Sequence, residues 1–188
     1  MTTANANETG ASGQPATGPL PRPTTWQLDA DASAVTFSHK TMWGLATVRG
    51  KFTDVSGTAE IVADGTAHGQ LEIGAASLDT KNSKRDQHLR SADFFDAAAH
   101  PTIVVDVTRA APAAGAEVQV TGTLTVAGRT RPLAVTAVLA GASGQEVTLT
   151  ADAEIDRADF GMTWNQLGML KGPAHVRVVA KFLNSAMA

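Results

Sequence analysis

The chain has 188 residues, no cysteine and a formal net charge of −3 at pH 7. Its length fits one domain, and the absence of cysteine excludes disulfides, thiolate metal ligands and thiol nucleophiles. A slightly acidic chain without basic clusters is not typical of nucleic-acid-binding proteins, and no apolar run reaches the roughly 18 residues of a membrane span.

The first 25 residues are small, polar and proline-containing. Such a segment cannot bury enough apolar surface to offset its ordering entropy, so we expect a disordered tail followed by one domain over residues 26–185. The tail also lacks the positive and apolar regions of a secretory signal, and we therefore expect a cytoplasmic protein.

From Trp26 onward, apolar side chains recur with a period of two. Val35, Phe37 and His39, for example, alternate with more polar neighbours, and the same pattern dominates both halves of the chain. A sheet with one solvent-exposed face and one buried face is typically antiparallel. About eight or nine such strands in one domain indicate a barrel or a sandwich. We favour a closed barrel because closure removes the sheet edges.

The inward positions are mostly Val, Ala, Leu and Ile, and aromatic residues make up only 5% of the chain. An eight-stranded barrel is just wide enough to be filled by side chains or to hold one ligand. Walls of small side chains therefore predict a long apolar cavity. The alternative is a flattened barrel or sandwich with a solid core. The predicted wall residues are Phe37, Leu71, Ile73, Ile103, Val105, Leu124, Val135 and Leu149.

A short helix is predicted near residues 83–92, between two strand-like segments. Ser83 followed three residues later by Asp86 is typical of a helix start. Pro101 prevents further helix and precedes a new strand. A helix inserted into an all-β chain suits a lid or plug at one end of a barrel.

Lys84, Arg85 and Arg90 flank the start of this helix, and together with His88 they are candidate contacts for the polar head of a ligand. Backbone N–H groups and the dipole favour an anion at a helix start. The alternative is a solvated positive face paired with Asp86 and Asp93. His39, at the end of an inward-facing strand, is a further candidate. For His39 and His88 the alternative is a hydrogen-bonded histidine at the barrel end.

The chemistry-bearing residues do not form a recognisable catalytic or metal-binding pattern. None of the five histidines has the spacing of metal ligands. No nucleophile elbow, P-loop or dinucleotide fingerprint occurs. We therefore expect no metal, no catalytic residue and no required cofactor.

Two turn-rich segments are unusually apolar. Met42, Trp43 and Leu45 form one, and Met162 and Trp164 belong to the other. Such loops suit a cavity mouth or a docking patch. They could equally close the barrel as plugs, form a homodimer interface or touch a membrane surface transiently.

Four motifs occur in order along the chain. They are TVRGKF at residues 47–52, RDQHLRSADFFD with HPTIVV at 85–105, GTLTVAGRTRPL at 122–133 and IDRADFGMTWN at 155–165. Together they resemble the YceI-like family of bacterial, lipocalin-like polyisoprenoid-binding proteins. The resemblance implies an eight-stranded antiparallel lipocalin-like barrel. It also implies non-catalytic binding, storage or transport of an isoprenoid lipid, either a polyprenyl chain or an isoprenoid quinone.

The motifs place further residues at family positions, where each either shapes the fold or touches lipid. These residues are Val48, Phe52, Leu89, Phe94, Phe95 and Phe160. Two other functions stay open. One is an interaction module with a solid barrel that docks a partner or dimerises through its apolar loops. The other is an enzyme acting on a lipid head group through His39 or His88.

Overall fold

The structure is a computed structural model that describes residues 24–187, in which eleven strands form one antiparallel sheet. The strands are β1 (Thr24–Leu28), β2 (Ala34–Thr41), β3 (Ala46–Phe52), β4 (Val55–Ile61), β5 (Ala67–Gly74), β6 (Leu78–Asp79), β7 (Thr102–Pro112), β8 (Glu117–Val126), β9 (Arg129–Ala142), β10 (Glu146–Ile155) and β11 (Ala174–Asn184). The α-helix of this part of the chain, α1, spans Ser83–Arg90. Short 3-10 helices occur at Met42–Gly44, Ala75–Ser77, Arg157–Phe160, Gln166–Gly168 and Ser185–Met187.

Eight of these strands form a closed barrel, which confirms the prediction. The ring runs β1-β4-β5-β7-β8-β9-β10-β11 and closes because β11 also pairs with β1, with Trp26 opposite Asn184. The first half of β11 pairs with β2, and β2 carries β3 and the two-residue β6 beside it. These additional strands were not all predicted, because a two-residue strand is too short to show alternation.

Residues 1–23 lie outside the described part of the chain, and with them most of the predicted tail. Thr24 and Thr25, which we had assigned to the tail, belong to β1 and pair with Ile61 and Glu60 of β4. Residues 24–187 contain no helix that is long and apolar enough to cross a bilayer.

Tight turns join several of the strands. The Asp64 carboxylate accepts a hydrogen bond from the backbone N–H of Thr66 at 2.9 Å and so fixes the β4–β5 turn. Ala127 and Gly128, between β8 and β9, have φ angles of 47° and 71°. Two successive positive φ angles match the right-handed twist of the flanking strands.

Close packing in the interior is concentrated where β3 meets β6 and the segment after α1. Leu78 of β6 is fully buried and pairs with Phe52 of β3. The Phe52 ring lies 5.4 Å from that of Phe37 and 5.8 Å from that of Phe95. Gly50 allows this arrangement, because a Cβ there would come within 2.5 Å of the Phe37 ring. Further buried residues of the other strands, among them Ile73, Ile103 and Val126, border a cavity in the remaining interior.

Candidate functional site

The barrel encloses a cavity of about 730 Å³. Its wall consists of the inward-facing alternate residues of the strands, mostly valine, alanine, leucine and isoleucine. Val105, Leu124 and Leu149 are half-buried rather than buried, because they face space that no other side chain fills. The volume lies within the range of roughly 300–1,000 Å³ that is usual for small-molecule pockets. A solid core, our alternative expectation, is therefore wrong for this barrel.

Most of the residues predicted to contact a ligand do line this cavity. They are Phe37, His39, Val48, Phe52, Leu71, Ile73, Arg85, His88, Leu89, Phe94, Phe95, Ile103, Val105, Leu124, Val135, Leu149, Met162 and Trp164. Their contact with a ligand stays a prediction, since position in the wall is what the structure gives.

Further wall residues were not among the predicted contacts. Most of them occupy inward positions of the same alternating pattern, so the period-two signal was sufficient to find them. They are Val35, Val107, Val120, Val126, Leu133, Ala137, Ala151, Ala153, Ile155, Val176, Val178, Ala180 and Phe182. Lys84, which the sequence places at the helix start, and Arg157, which no sequence pattern indicated, also line the cavity.

Trp43 does not line the cavity. Its side chain is 55% exposed, and its backbone has the left-handed φ of 56°. The Trp43 N–H donates to the carbonyl of Met169 at 3.3 Å, which joins the two apolar loops. The ring consequently projects beyond the barrel instead of into it.

Phe160 is also absent from the cavity wall, although it is only 4% exposed. It lines a side pocket of about 350 Å³ between β9 and β10. These strands pair only from Ala137 opposite Ala151 to Ala142 opposite Val147. Residues 129–136 of β9 therefore have no partner on β10, and Phe160 fills the gap in the barrel wall.

The charged residues of α1 hold the helix on the barrel. Asp86 is only 6% exposed and accepts hydrogen bonds from the Thr80 N–H at 3.0 Å and the Thr80 hydroxyl at 2.5 Å. The Arg85 guanidinium donates to the Thr80 hydroxyl at 2.7 Å and to the Thr80 carbonyl at 2.8 Å. Arg85 therefore bonds to Thr80 and positions the helix on the barrel.

The helix boundaries differ slightly from the prediction. Asn82, not Ser83, caps the start, because its side-chain oxygen accepts from the Arg85 N–H at 3.1 Å. The helix ends at Arg90, whose guanidinium donates to the carbonyls of Ala76 and Leu78 at 2.8 and 2.6 Å. These bonds place α1 across one end of the barrel, where it serves as the predicted lid.

We use "helix end" for the end of the barrel formed by α1, residues 42–45 and residues 156–173. His88 joins two of these elements. Its ring packs edge-on against Phe94 at 5.1 Å and Trp164 at 4.5 Å, and its Nε2 lies 3.1 Å from the Asp93 carboxylate. This aromatic cluster attaches the loop that contains Trp164 to the helix and forms part of the cavity wall at that end.

Polar side chains collect at the helix end of the otherwise apolar cavity. His39 Nε2 donates to the carbonyl of Gly172 at 3.1 Å, which leaves Nδ1 as an acceptor. That Nδ1 atom is buried and has no hydrogen-bond partner among residues 24–187. In the same part of the chain, no carboxylate lies within 4 Å of the Lys84 amine. The helix end can thus accept a polar or anionic group.

Arg157 stabilises the loop that completes this end. Its guanidinium donates to the carbonyls of Met162 and Trp164 at 2.5 and 2.8 Å. The backbone turns at Gly161, with φ of 76°, so that Phe160 points into the wall and Met162 into the cavity. In the described residues, no group of three or more His, Asp or Glu side chains is arranged to hold a metal ion.

Comparison with known proteins identifies relatives of both sequence and fold. The sequence model of the YceI-like domain matches residues 26–182. Protein YceI of Escherichia coli O157:H7 is 32% identical over 126 residues, which cover 63% of this chain and 65% of that protein. The matched segment therefore spans about two thirds of that relative's length.

Two solved structures share the fold. Burkholderia cenocepacia BcnA aligns with a TM-score of 0.75 and 22% identity, over 82% of this chain and 98% of that one. A protein from Saccharophagus degradans aligns with a TM-score of 0.68 and 19% identity, over 86% of this chain and 99% of that one. That protein is described as a polyisoprenoid binding domain implicated in plant cell wall breakdown.

Proposed function

The chain belongs to the YceI-like domain family, and from this premise we propose that it binds an isoprenoid lipid inside its barrel. The cavity is the observation that carries the proposal. It has about 730 Å³ of space and a wall of branched aliphatic side chains. The polyisoprenoid-binding description of the Saccharophagus degradans protein agrees with this ligand class.

An isoprenoid chain matches the cavity in both shape and chemistry. Apolar side chains surround the interior from the helix end to the opposite end, near Phe182 and Ala110. Transfer of a branched hydrocarbon chain from water into such a space is favourable by about 25 cal/mol for each Å² of apolar surface removed from water. Affinity from this source needs no catalytic group, only length and exclusion of water.

We place the polar head of the ligand at the helix end. Lys84, His39 and His88 reach the cavity there. The unpartnered Nδ1 of His39 would accept a hydrogen bond from a hydroxyl head group, and the Lys84 amine would attract a phosphate. A quinone carbonyl could accept from Lys84 instead. The binding mode is that of a carrier or storage protein, in which the ligand leaves chemically unchanged.

The first test is native mass spectrometry of the purified protein, followed by extraction into organic solvent. We expect a bound species whose mass differs from the apo protein by that of a polyprenyl chain or an isoprenoid quinone. If the protein is purified empty, a polyprenyl phosphate and an isoprenoid quinone are each added from cyclodextrin. Failure of both ligands to bind would contradict the proposal.

Tryptophan fluorescence supplies a second readout with an internal control. Trp164 lines the cavity, whereas Trp43 lies outside it. We expect ligand addition to change the tryptophan emission of the wild type and of Trp43→Phe. The emission of Trp164→Phe should stay the same when ligand is added. A change that disappears in Trp43→Phe would place the ligand on the outer loops and not in the barrel.

A further inference from the structure

Large apolar side chains are exposed at the helix end. Met42 is 51% exposed, Trp43 55%, Leu45 85% and Leu167 79%. They belong to two loops that adjoin, because the Trp43 N–H bonds to the Met169 carbonyl. We call these four residues the tip surface. Leu170 and Trp164 of the same loop line the cavity, so the tip surface borders the end where the ligand head is placed.

The backbone holds the tip residues in an outward orientation. Met42, Trp43 and Leu167 all have positive φ, at 51°, 56° and 53°. Large side chains rarely adopt this conformation, which costs free energy unless the surrounding structure fixes it. Asn165 fixes the second loop by two hydrogen bonds with the backbone of Leu170, at 3.0 and 2.9 Å. The backbone conformation of both loops therefore holds these apolar side chains exposed.

The two segments that carry the tip surface contain basic but no acidic residues. Residues 40–51 and 160–177 contain lysine and arginine but no aspartate or glutamate. In the described part of the chain, no carboxylate lies within 4 Å of the Lys40 or Lys171 amine. On the adjoining β10, Glu154 and Asp152 lie 3.5 and 3.1 Å from His175 and Arg177. The exposed Lys40 and Lys171 thus present their charge to solvent, whereas His175 and Arg177 face carboxylates of β10.

We propose that the tip surface docks the barrel on a lipid bilayer that contains anionic phospholipids. The inference rests on the proposed function, since an isoprenoid chain resides in a bilayer and must reach the cavity without crossing water. Tryptophan is enriched at membrane interfaces, and leucine and methionine insert below it. Lysines beside such a patch are attracted to the negative surface potential of anionic lipids. The apolar tip residues match the acyl boundary of the bilayer, and the basic flanks match its anionic head groups.

The experiment is vesicle flotation of the full chain. One vesicle preparation contains phosphatidylcholine alone, and the other contains equal parts of phosphatidylcholine and phosphatidylglycerol. We expect the protein to float with the anionic vesicles, less so with neutral ones, and to be released by salt because the electrostatic part is screened. Trp43 emission should shift to shorter wavelength on binding.

Matched variants locate the contact. Leu45→Glu combined with Leu167→Glu should lower vesicle binding about tenfold or more, because two apolar contacts are replaced by like charges. Val138→Glu is the control, since Val138 is 47% exposed on the outer face of β9 away from the tips. Equal binding of the double variant and the control, or no flotation of the wild type, would overturn the proposal.

Ligand delivery from cyclodextrin separates this proposal from the proposed function. The double variant should bind the same ligand from cyclodextrin as well as the wild type, because neither Leu45 nor Leu167 lines the cavity. Loss of vesicle binding with ligand binding retained supports docking. Ligand binding by a wild type that never floats would leave the proposed function standing and refute docking. If the wild type is a dimer that the double variant dissociates, and neither floats, the tip surface joins two copies instead.

Discussion

Asp86 fixes the lid helix to the barrel through the backbone and hydroxyl groups of Thr80. We expect Asp86→Ala to lower the free energy of unfolding by about 3 kcal/mol, because bonds to a buried charge are lost and a buried N–H is left unpaired. Urea unfolding measures this loss. Gln87→Ala, at an exposed position of the same helix, should change stability by no more than about 0.5 kcal/mol. Equal effects of the two substitutions would contradict this role for Asp86.

Asp79 and Lys81 form an exposed ion pair of 2.7 Å just before the helix. The hydrogen bond from the Lys81 side chain, reinforced by the Lys81 backbone N–H, lowers the pKa of the Asp79 carboxyl. The same bond raises the pKa of Lys81. A lowered carboxyl pKa stabilises the folded state above the ordinary carboxyl pKa, and this contribution is lost as pH falls through the folded-state value.

Lys81→Met should therefore raise the pKa of Asp79 toward its ordinary value. The stability difference from the wild type should be present at neutral pH and disappear in acid. Carbon NMR titration of the Asp79 carboxyl measures the pKa, and thermal unfolding across the acid range measures the stability. Lys84→Met, which removes a neighbouring lysine that does not bond Asp79, should leave this titration unchanged.

Sequence analysis identified the residues of the charged motif but not their partners. The helix-start pattern around Ser83 and Asp86 suggested reciprocal capping, whereas Asn82 caps the helix and Asp86 bonds to Thr80. Arg90 likewise bonds to carbonyls 12 and 14 residues away. Such bonds depend on the position of β6 beneath the helix, and β6 has no sequence signal of its own. Local patterns therefore find this helix, but long-range contacts determine the role of each charge.

At the scale of elements, the 3-10 helix at Arg157–Phe160 completes the barrel wall where β9 and β10 separate. We expect Phe160→Ala to cost about 3–5 kcal/mol, as is usual when a buried phenylalanine is truncated. Urea unfolding gives this value. Leu167→Ala removes a side chain that is 79% exposed and should be nearly neutral.

The same truncation should alter ligand exchange. The side pocket and the main cavity share Leu124, Leu133, Val135, Ala153 and Ile155. Removing the Phe160 ring would therefore connect the cavity to solvent through the wall, and we expect faster ligand release in Phe160→Ala. An unchanged release rate in a folded variant would show that ligand does not pass this gap. Nothing in the alternating sequence of β9 and β10 indicates that they part, because each strand keeps its own period.

At the scale of the whole molecule, alternation predicted the barrel, and the small size of the inward residues predicted a cavity without excluding a solid core. The period of two assigns Val105, Leu124 and Leu149 to the inner face. It cannot give the distance between opposite walls, which depends on strand tilt and stagger. Small aliphatic residues can approach each other in a flattened barrel or leave a cavity in a round one. The structure has a cavity of about 730 Å³ between the walls.

Filling the cavity distinguishes these two interiors in solution. Ala151 lines the cavity in the middle of β10 and is only half-buried, so Ala151→Phe places a ring in open space. In a solid core such an insertion would cost about 1–3 kcal/mol. Here we expect stability to be kept or raised, because the ring buries apolar surface without displacing a neighbour.

The affinity of Ala151→Phe for the ligand should fall, although its stability is kept or raised. The new ring occupies volume that the isoprenoid chain needs, so we expect Ala151→Phe to lower affinity for long chains more than for short ones. Ala140→Phe, on the outer face of β9, makes the same substitution outside the cavity and should bind every chain length as the wild type does. Urea unfolding and the mass of extracted lipid measure the two effects together. A variant that loses stability but keeps its long-chain ligand would mean that the chain does not occupy the barrel interior.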